Sequence, residues 1–194
     1  MAYLPSGHPV HDPRTLRAIA HPVRNRILTE LGATGPMRAA DLARELGVPP
    51  NQASFHLRQL AKYGLIEEDP DAGRDRRDRV WRLVSPDGVS IDLGALRRSP
   101  GGDAAAEVFS RTAAALGHAA VEAVFAAERE EGVIRTVNDS AIRLTYEEAQ
   151  ELAGDLDEII RSWRERTRGQ PGDRRTYLAY LALQPHPALT AEED

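Results

Sequence analysis

The sequence predicts a mainly α-helical fold with a small β component, in the α+β class. Before residue 65, apolar residues recur every three or four positions in four short stretches, separated by glycine or proline. Two short apolar runs then flank a charged loop, as in a two-stranded ribbon. Beyond residue 102, apolar periodicity extends over two longer stretches, which indicates a second part built on two long helices.

The four short stretches define the first predicted helices. Their apolar positions are Leu16, Ile19 and Ala20; Val23, Ile27, Leu28 and Leu31; Ala39, Leu42, Ala43 and Leu46; and Ala53, Leu57 and Leu60. Gly47 is suited to end the third helix, because glycine adopts the left-handed conformation without steric cost. The ribbon strands are expected at 65–68 and 80–84, around the charged loop 69–79.

The second part has longer elements. Residues 103–130 are expected to form an alanine-rich helix. Thr145 and Glu148 have the spacing of a capping box, which opens the second long helix. The apolar positions of this helix are Ala149, Leu152, Ala153, Leu156, Ile159, Ile160 and Trp163. Three segments are expected to be extended: 133–137, 141–144 and 177–183.

Length and composition exclude several classes of protein. The 194 residues include no cysteine, which excludes disulfides, thiolate metal sites and cysteine nucleophiles. No apolar run approaches the roughly 18 residues that a membrane span needs. The first residues lack the charged and apolar regions of a secretory signal. We therefore expect a cytoplasmic protein that does not associate with membranes.

Charge is distributed unevenly between the two parts. The net charge is −5 at neutral pH. Residues 1–84 contain 13 basic and 10 acidic side chains, a balance of +3. Residues 85–194 contain 12 basic and 20 acidic side chains, a balance of −8. This asymmetry indicates that the first part contacts a polyanion while the acidic part faces away from it.

The order of the first elements is that of a winged helix-turn-helix, with 50–62 as its recognition helix. At about 100° per residue, the apolar positions of this helix share one side. The residues expected to contact DNA from the other side or its edges are Asn51, Gln52, Ser54, Phe55, His56, Arg58 and Gln59. Asn and Gln can pair with adenine, Arg with guanine or phosphate, and Phe with a thymine methyl. Packing of Phe55 against a neighbouring helix is the alternative.

The loop 69–79 fits the wing of such a domain. Its arginines can reach phosphates or the minor groove, which fixes the position of the protein without reading sequence. The arginines in question are Arg74, Arg76, Arg77 and Arg79, with Arg76 and Arg77 favoured. Interspersed aspartates weaken the local positive field, so a solvated charged turn is the alternative.

Two motifs carry a family resemblance. Residues 21–28 read HPVRNRIL, and residues 54–60 read SFHLRQL, followed by GLI at 64–66. With these motifs, residues 13–84 resemble the ArsR-type (arsenic-repressor-like) winged-helix regulators. The resemblance implies a homodimeric transcription regulator that binds a near-palindromic operator in double-stranded DNA. It also implies an effector, such as a small molecule, that changes DNA affinity from another site.

The chain departs from the metal-sensing members of that family. Those members place Cys, His, Asp or Glu ligands on the third helix or a terminal helix, whereas the third helix here offers Asp41 and no His. The pairs His118 with Glu122 and His8 with His11 do not complete a ligand set. We therefore predict no metal and no cofactor.

The sequence contains no recognisable catalytic constellation, and His56 fits the helix-turn-helix pattern better than the role of a base. We therefore predict no enzyme activity. Trp163, Tyr177 and Tyr180 either belong to a core or line a pocket for an effector. The alternative function is a winged-helix adaptor whose acidic half binds a protein partner.

The predicted organisation has five segments. They are an N-terminal arm at 1–13, a winged helix-turn-helix DNA-binding domain at 14–84, a linker at 85–102, a dimerisation and effector region at 103–185, and a tail at 186–194.

Overall fold

Short helices and very short strands build the first hundred residues around one apolar core. In the computed structural model, the described residues are 7–70, 72, 79–126 and 130–186. The elements in chain order are β1 (His8–Val10), α1 (Pro13–Ile19), α2 (Pro22–Thr34), β2 (Met37–Arg38), α3 (Ala39–Leu46), α4 (Pro50–Lys62), β3 (Ile66–Glu68), β4 (Val80–Leu83), β5 (Val89–Ile91), α5 (Leu93–Arg97), α6 (Gly102–Val124) and α7 (Tyr146–Thr167). The predicted α+β class is confirmed.

Local sequence explains where the first helices begin and end. The Asp12 carboxylate accepts a hydrogen bond from the Arg14 backbone N–H at 3.1 Å and so caps α1. Pro22 begins α2 at a position where a helix needs no N–H donor. Gly47 has φ 64°, as predicted, and its left-handed conformation ends α3 and turns the chain towards α4.

The core combines the first four helices with β3. Its fully buried large side chains are Leu16, Ile19, Ile27, Leu31, Leu42, Leu57, Leu60 and Ile66. The first turns of α6 enter the same core, since Ala105 and Ala106 have no accessible surface. Gly102 lies so close to the Leu96 carbonyl that an added Cβ would overlap it. Helix α6 is therefore part of the N-terminal core rather than the start of a separate one.

Two small sheets complete this part. In the first sheet, β4 lies between β2 and β3 and pairs antiparallel with both. The sequence prediction missed β2. In the second sheet, β1 pairs in parallel with β5, and His8 lies opposite Val89. Residues 8–10 of the predicted arm thus form a strand, and residues 85–102 contain β5 and α5 where a linker was predicted.

The second part contains two long helices, but two of its predicted features differ. Helix α6 ends at Val124, earlier than predicted. The predicted capping box of α7 is confirmed: the Glu148 N–H donates to Thr145 Oγ1 at 3.2 Å, and the Thr145 N–H donates to Glu148 Oε2 at 2.7 Å. The predicted extended segments 133–137, 141–144 and 177–183 form no strand among the described residues. None of the α7 residues is fully buried.

An arginine fastens the end of α7 to the N-terminal part. Arg168 Nη2 donates to the Gly32 carbonyl at 3.1 Å and to the Pro86 carbonyl at 2.9 Å. The next residue, Gly169, donates from its backbone N–H to the Thr34 carbonyl at 3.1 Å. A cation at this end of α2 also complements the negative pole of the helix. The contact ties α7 both to α2 and to the turn between β4 and β5.

Within the described parts of the chain, we find no helix that combines the length and the apolar character needed to cross a membrane.

We expect Leu57→Ala to lower the free energy of unfolding by about 2–5 kcal/mol, because the change leaves a cavity in the core. The exposed neighbour Phe55 provides the matched control, and Phe55→Ala should cost less than about 1 kcal/mol. Urea denaturation followed by circular dichroism measures both. Equal losses for the two variants would contradict the packing of α4.

Candidate nucleic-acid interface

Helix α4 presents a polar face to solvent. Asn51, Gln52 and Arg58 are exposed on it, as predicted. Phe55 lies on the same face and is 50% exposed, with its ring edge-on to that of His56 at 5.3 Å between centroids. Its side chain is therefore not buried against a neighbouring helix, which was the alternative considered from the sequence.

The opposite face of α4 holds the helix in position. Ala53, Leu57 and Leu60 have no accessible surface. Helix α3 packs against this face, and its C-terminus is in turn bonded to α2, because Arg26 Nη1 donates to the Leu46 carbonyl at 3.3 Å. The direction of the outward side chains is thus set by core packing.

The polar residues of α4 are not equally placed. Asn51 Oδ1 accepts a hydrogen bond from the Gln52 backbone N–H at 2.9 Å. Pairing of Asn51 with adenine through both amide groups would have to use the second lone pair of Oδ1 or break this bond. Ser54 and Gln59 are half-buried at the two edges of the exposed face. Gln52, Phe55 and Arg58 are therefore the most accessible side chains for base contacts.

His56 does not reach this face, which corrects its prediction as a DNA contact. It is only 5% exposed, and its ring lies 4.6 Å from that of His21, at the N-cap of α2. The position of His56 at the edge of the apolar stripe of α4 does not determine whether it is buried. In the structure, the start of α2 covers its side chain. Nothing in the sequence indicates this contact beyond the presence of one histidine in each motif.

Burial and nearby charge keep the two histidines neutral. Desolvation lowers the pKa of His56, and the charges of His21 and Arg24 lower it further. Desolvation and Arg24 likewise lower the pKa of His21. Arg24 lies in α2, and its side chain is held against the end of α1, because its Nε donates to the Ala18 carbonyl at 2.6 Å. Both histidine Nδ1 atoms are buried without a hydrogen-bond partner among the described residues.

Strands β3 and β4 form the base of the predicted wing. In their register, Glu67 faces Arg82 and Glu68 faces Trp81. The Asp69 N–H donates to the Val80 carbonyl at 2.8 Å, which extends the pairing towards the loop. The ribbon therefore begins as predicted, although both strands are slightly shorter than the predicted segments.

Ion pairs at the base of the ribbon include Arg79, which is predicted to contact DNA. Its Nη1 lies 2.7 Å from Glu68 Oε1, and Arg82 Nη2 lies 2.8 Å from Glu67 Oε1. A phosphate would have to compete with Glu68 for Arg79. The sequence shows these charges, but only the strand register shows which of them pair. Arg74, Arg76 and Arg77 lie outside the described residues.

Arg44 is a cation beside α4 that the sequence analysis did not single out. It lies in the last turn of α3, its side chain is 78% exposed, and its Nη2 is 2.7 Å from Asp41 Oδ1. Exposed ion pairs of this kind contribute little stability. Arg44 can therefore exchange Asp41 for another anion at small cost.

The candidate metal pairs are not assembled into a larger group. His118, Glu122 and His11 are exposed, and His8 is half-buried in β1. In the part of the chain that the structure describes, no three His, Asp or Glu side chains are grouped so that they could hold a metal ion.

The aromatic residues considered for a core or pocket also differ from expectation. Trp163, Tyr177 and Tyr180 are each about half exposed, so they form neither a closed pocket nor a core in the single chain. Trp163 instead carries Arg166 over its ring, with 4.2 Å from the guanidinium carbon to the centroid.

Comparison with known proteins identifies the N-terminal module. Residues 19–69 match the family model of a helix-turn-helix domain. This range spans α2, α3, α4 and β3, including the whole exposed face of α4. Among curated proteins, none matches the chain at a significant level.

Three solved structures have low overall similarity to the chain. Transcriptional regulator Tm0710 from Thermotoga maritima shares 18% identity with a TM-score of 0.31, over 79% of this chain and 86% of that chain. Disulfide-formed AbfR shares 16% with a TM-score of 0.33, over 77% and 79%. An S. aureus MepR mutant bound to an oligodeoxyribonucleotide shares 15% with a TM-score of 0.30, over 77% and 87%. Such low scores support no inference about this chain.

We expect stability to fall in acid because of the buried His56 and the half-buried His21. Their pKa values are lowered in the folded state, so the unfolded chain binds protons that the folded chain excludes. Their contribution is fully present above the ordinary histidine pKa of about 6.5 and is lost as the pH falls through the depressed values.

Urea denaturation at about pH 7.5 and about pH 5.5 measures this dependence. His56→Leu should reduce the loss in acid, because it removes one proton-binding group and a like charge beside His21. His118→Leu, at an exposed histidine, should leave the loss unchanged. An unaltered loss in His56→Leu would show that this histidine pair is not its source.

Proposed function

We propose that the chain is a sequence-specific DNA-binding transcriptional regulator of the ArsR-like type. The observation that carries the proposal is the exposed face of α4, which presents Gln52, Phe55 and Arg58 from a helix whose inner side is fully buried. The match of residues 19–69 to a helix-turn-helix domain supports it. In this role α4 lies in the major groove and the wing, 69–79, contacts the backbone or minor groove.

Each accessible side chain of α4 has a distinct part in base reading. Arg58 can donate two hydrogen bonds to the O6 and N7 atoms of guanine. Gln52 can pair with adenine through its amide, and the Phe55 ring can contact a thymine methyl. Because Asn51 already bonds the Gln52 N–H, its part is to shape the start of the helix unless DNA displaces that bond.

Charge supports the same orientation on DNA. Residues 1–84 carry +3 and residues 85–194 carry −8. Phosphates attract the first part and repel the second, so the winged helix-turn-helix region 14–84 faces the duplex and the region 103–185 faces away. With only a small positive balance, binding to DNA of arbitrary sequence is weak and sensitive to salt.

The proposed active form is a homodimer on a near-palindromic operator. In this mode of docking, two recognition helices enter successive major grooves with half-sites about 10 base pairs apart. The region 103–185 supplies the dimer contacts and a site for an effector. A winged-helix adaptor for a protein partner would not need the polar face of α4, which is why we prefer DNA.

We expect Arg58→Ala to weaken operator binding by about 1–3 kcal/mol and to relax specificity at one base pair, because a guanine contact is lost. The measurement is fluorescence anisotropy with the DNA upstream of the coding region, scanned for single-base changes. Arg111→Ala removes the same charge from α6 and serves as the control, with unchanged affinity expected. Equal affinity of wild type and Arg58→Ala for every duplex would favour the adaptor.

The wing calls for a different test. Arg77→Ala should weaken binding to all sequences alike, because a phosphate contact carries no base information. The slope of log affinity against log salt should decrease by about one. Titrations between about 50 and 200 mM salt measure this slope. A change of specificity without a change of slope would contradict the assignment to the backbone.

A further inference from the structure

The exposed apolar side chains of this protein are concentrated in its second part. Of the eighteen large apolar side chains that are exposed in the described parts of the chain, sixteen lie between Val108 and Leu183. Single exposed apolar residues are ordinary on protein surfaces, but a concentration of this size marks a surface that binds something. The region 103–185 is therefore incomplete in the single chain.

The densest run is at 177–183, which reads YLAYLAL. Its five large side chains are all about half exposed. The sequence predicts a strand here, because uninterrupted apolar runs of this length are typical of strands covered on both faces. Among the described residues, however, its backbone N–H and C=O groups form no backbone hydrogen bond.

The path of this segment over the molecule is fixed at two points. Before it, Thr176 Oγ1 donates to Glu30 Oε2 of α2 at 2.7 Å. Within it, the Tyr180 ring packs on Gly117 of α6, so closely that an added Cβ would come within 2.6 Å of the ring. In an extended chain, Tyr180 then faces α6, while Tyr177, Leu181 and Leu183 lie on the opposite face.

We propose that 177–183 is an intersubunit strand, which pairs antiparallel with the same segment of a second copy of this chain. The proposal rests on the homodimer of the proposed function and locates its interface. Pairing across a two-fold axis is self-complementary, since every group of one copy meets its counterpart in the other. It satisfies the N–H and C=O groups on the facing edge of each strand. An unpaired apolar edge is prone to aggregation.

Charge selects the antiparallel direction. The segment itself is uncharged, and Arg174 and Arg175 precede it. Arg175 Nη2 already pairs with Glu130 Oε1 at 2.6 Å, so Arg174 is the cation that a parallel pair would place directly beside its own copy, which is destabilising. An antiparallel pair centred on Tyr180 places the two copies of Arg174 at opposite ends of a ribbon about 23 Å long, at about 3.3 Å per residue.

The available area suits a stable dimer. If each of the sixteen side chains exposes on the order of 80 Å², they offer roughly 1,300 Å² per subunit, against about 800 Å² per partner in a standard interface. Ile134 and Ile142, in the two other segments predicted to be extended, belong to this set. Ile134 lies beside the proposed ribbon, since its N–H donates to Tyr177 Oη at 3.5 Å.

Sedimentation equilibrium of the full chain tests the proposal. Leu181 is 57% exposed in the single chain, so Leu181→Asp should fold normally but place one charge from each copy in an otherwise uncharged apolar ribbon. We expect its dimer dissociation constant to rise at least about tenfold. Val84→Asp makes the same kind of change at a 40% exposed site outside this surface, and should leave the constant unchanged.

Hydrogen exchange of the wild type gives a second measurement that needs no variant. Amides of 177–183 should be protected above the dissociation constant and exchange freely below it. A dimer in which Leu181→Asp associates like the wild type, with these amides unprotected at every concentration, would overturn the strand but not the homodimer. A wild type that stays monomeric would overturn both the strand and the homodimer. The proposal of DNA binding would still be tested separately by Arg58→Ala.

Discussion

Burial of one face of α4 is the constraint on which the candidate site depends. Ala53, Leu57 and Leu60 have no accessible surface, so rotation of the helix about its axis would expose apolar side chains and empty the core. The outward direction of Gln52, Phe55 and Arg58 follows from this packing rather than from any contact of their own. A helix fixed in this way can present a rigid polar face to a groove without losing entropy on binding.

The same core extends into the second part of the chain. The first turns of α6 are packed against α1, with Ala105 and Ala106 fully buried. At the other end of this part, Arg168 bonds the last turns of α2 and the turn after β4. The second part is thus attached to the N-terminal part at two separate places, one of them beside the ribbon that forms the wing. A displacement of α7 would therefore act on α2 and on the turn after β4.

Sequence periodicity predicted the helices of the first part and the exposed face of α4. These helices pack against a single core, so the apolar side of each helix is visible in its own sequence. Periodicity failed to decide whether His56 contacts DNA or packs beside the buried stripe, because that depends on His21 in another helix. It also failed for residues 85–102, because the parallel pairing of β1 with β5 joins segments about eighty residues apart. The wing base followed from the pattern, but the pairing of Arg79 with Glu68 required the strand register.

The predicted strands of the second part are a different case. The single chain forms no strand at these segments, although their apolar sequence still favours one. The run at 177–183 is apolar on both faces, and a segment of that kind gains stability only when both faces and its backbone groups are covered. In the single chain α6 covers one face, at Tyr180. The winged helix-turn-helix region has the opposite character: among its described residues, the exposed large apolar side chains are Phe55, on the face proposed to read DNA, and Val84, directly after β4. The first part is thus complete as a folded unit, whereas the second would acquire its remaining cover in the proposed dimer, which would link its stability to protein concentration.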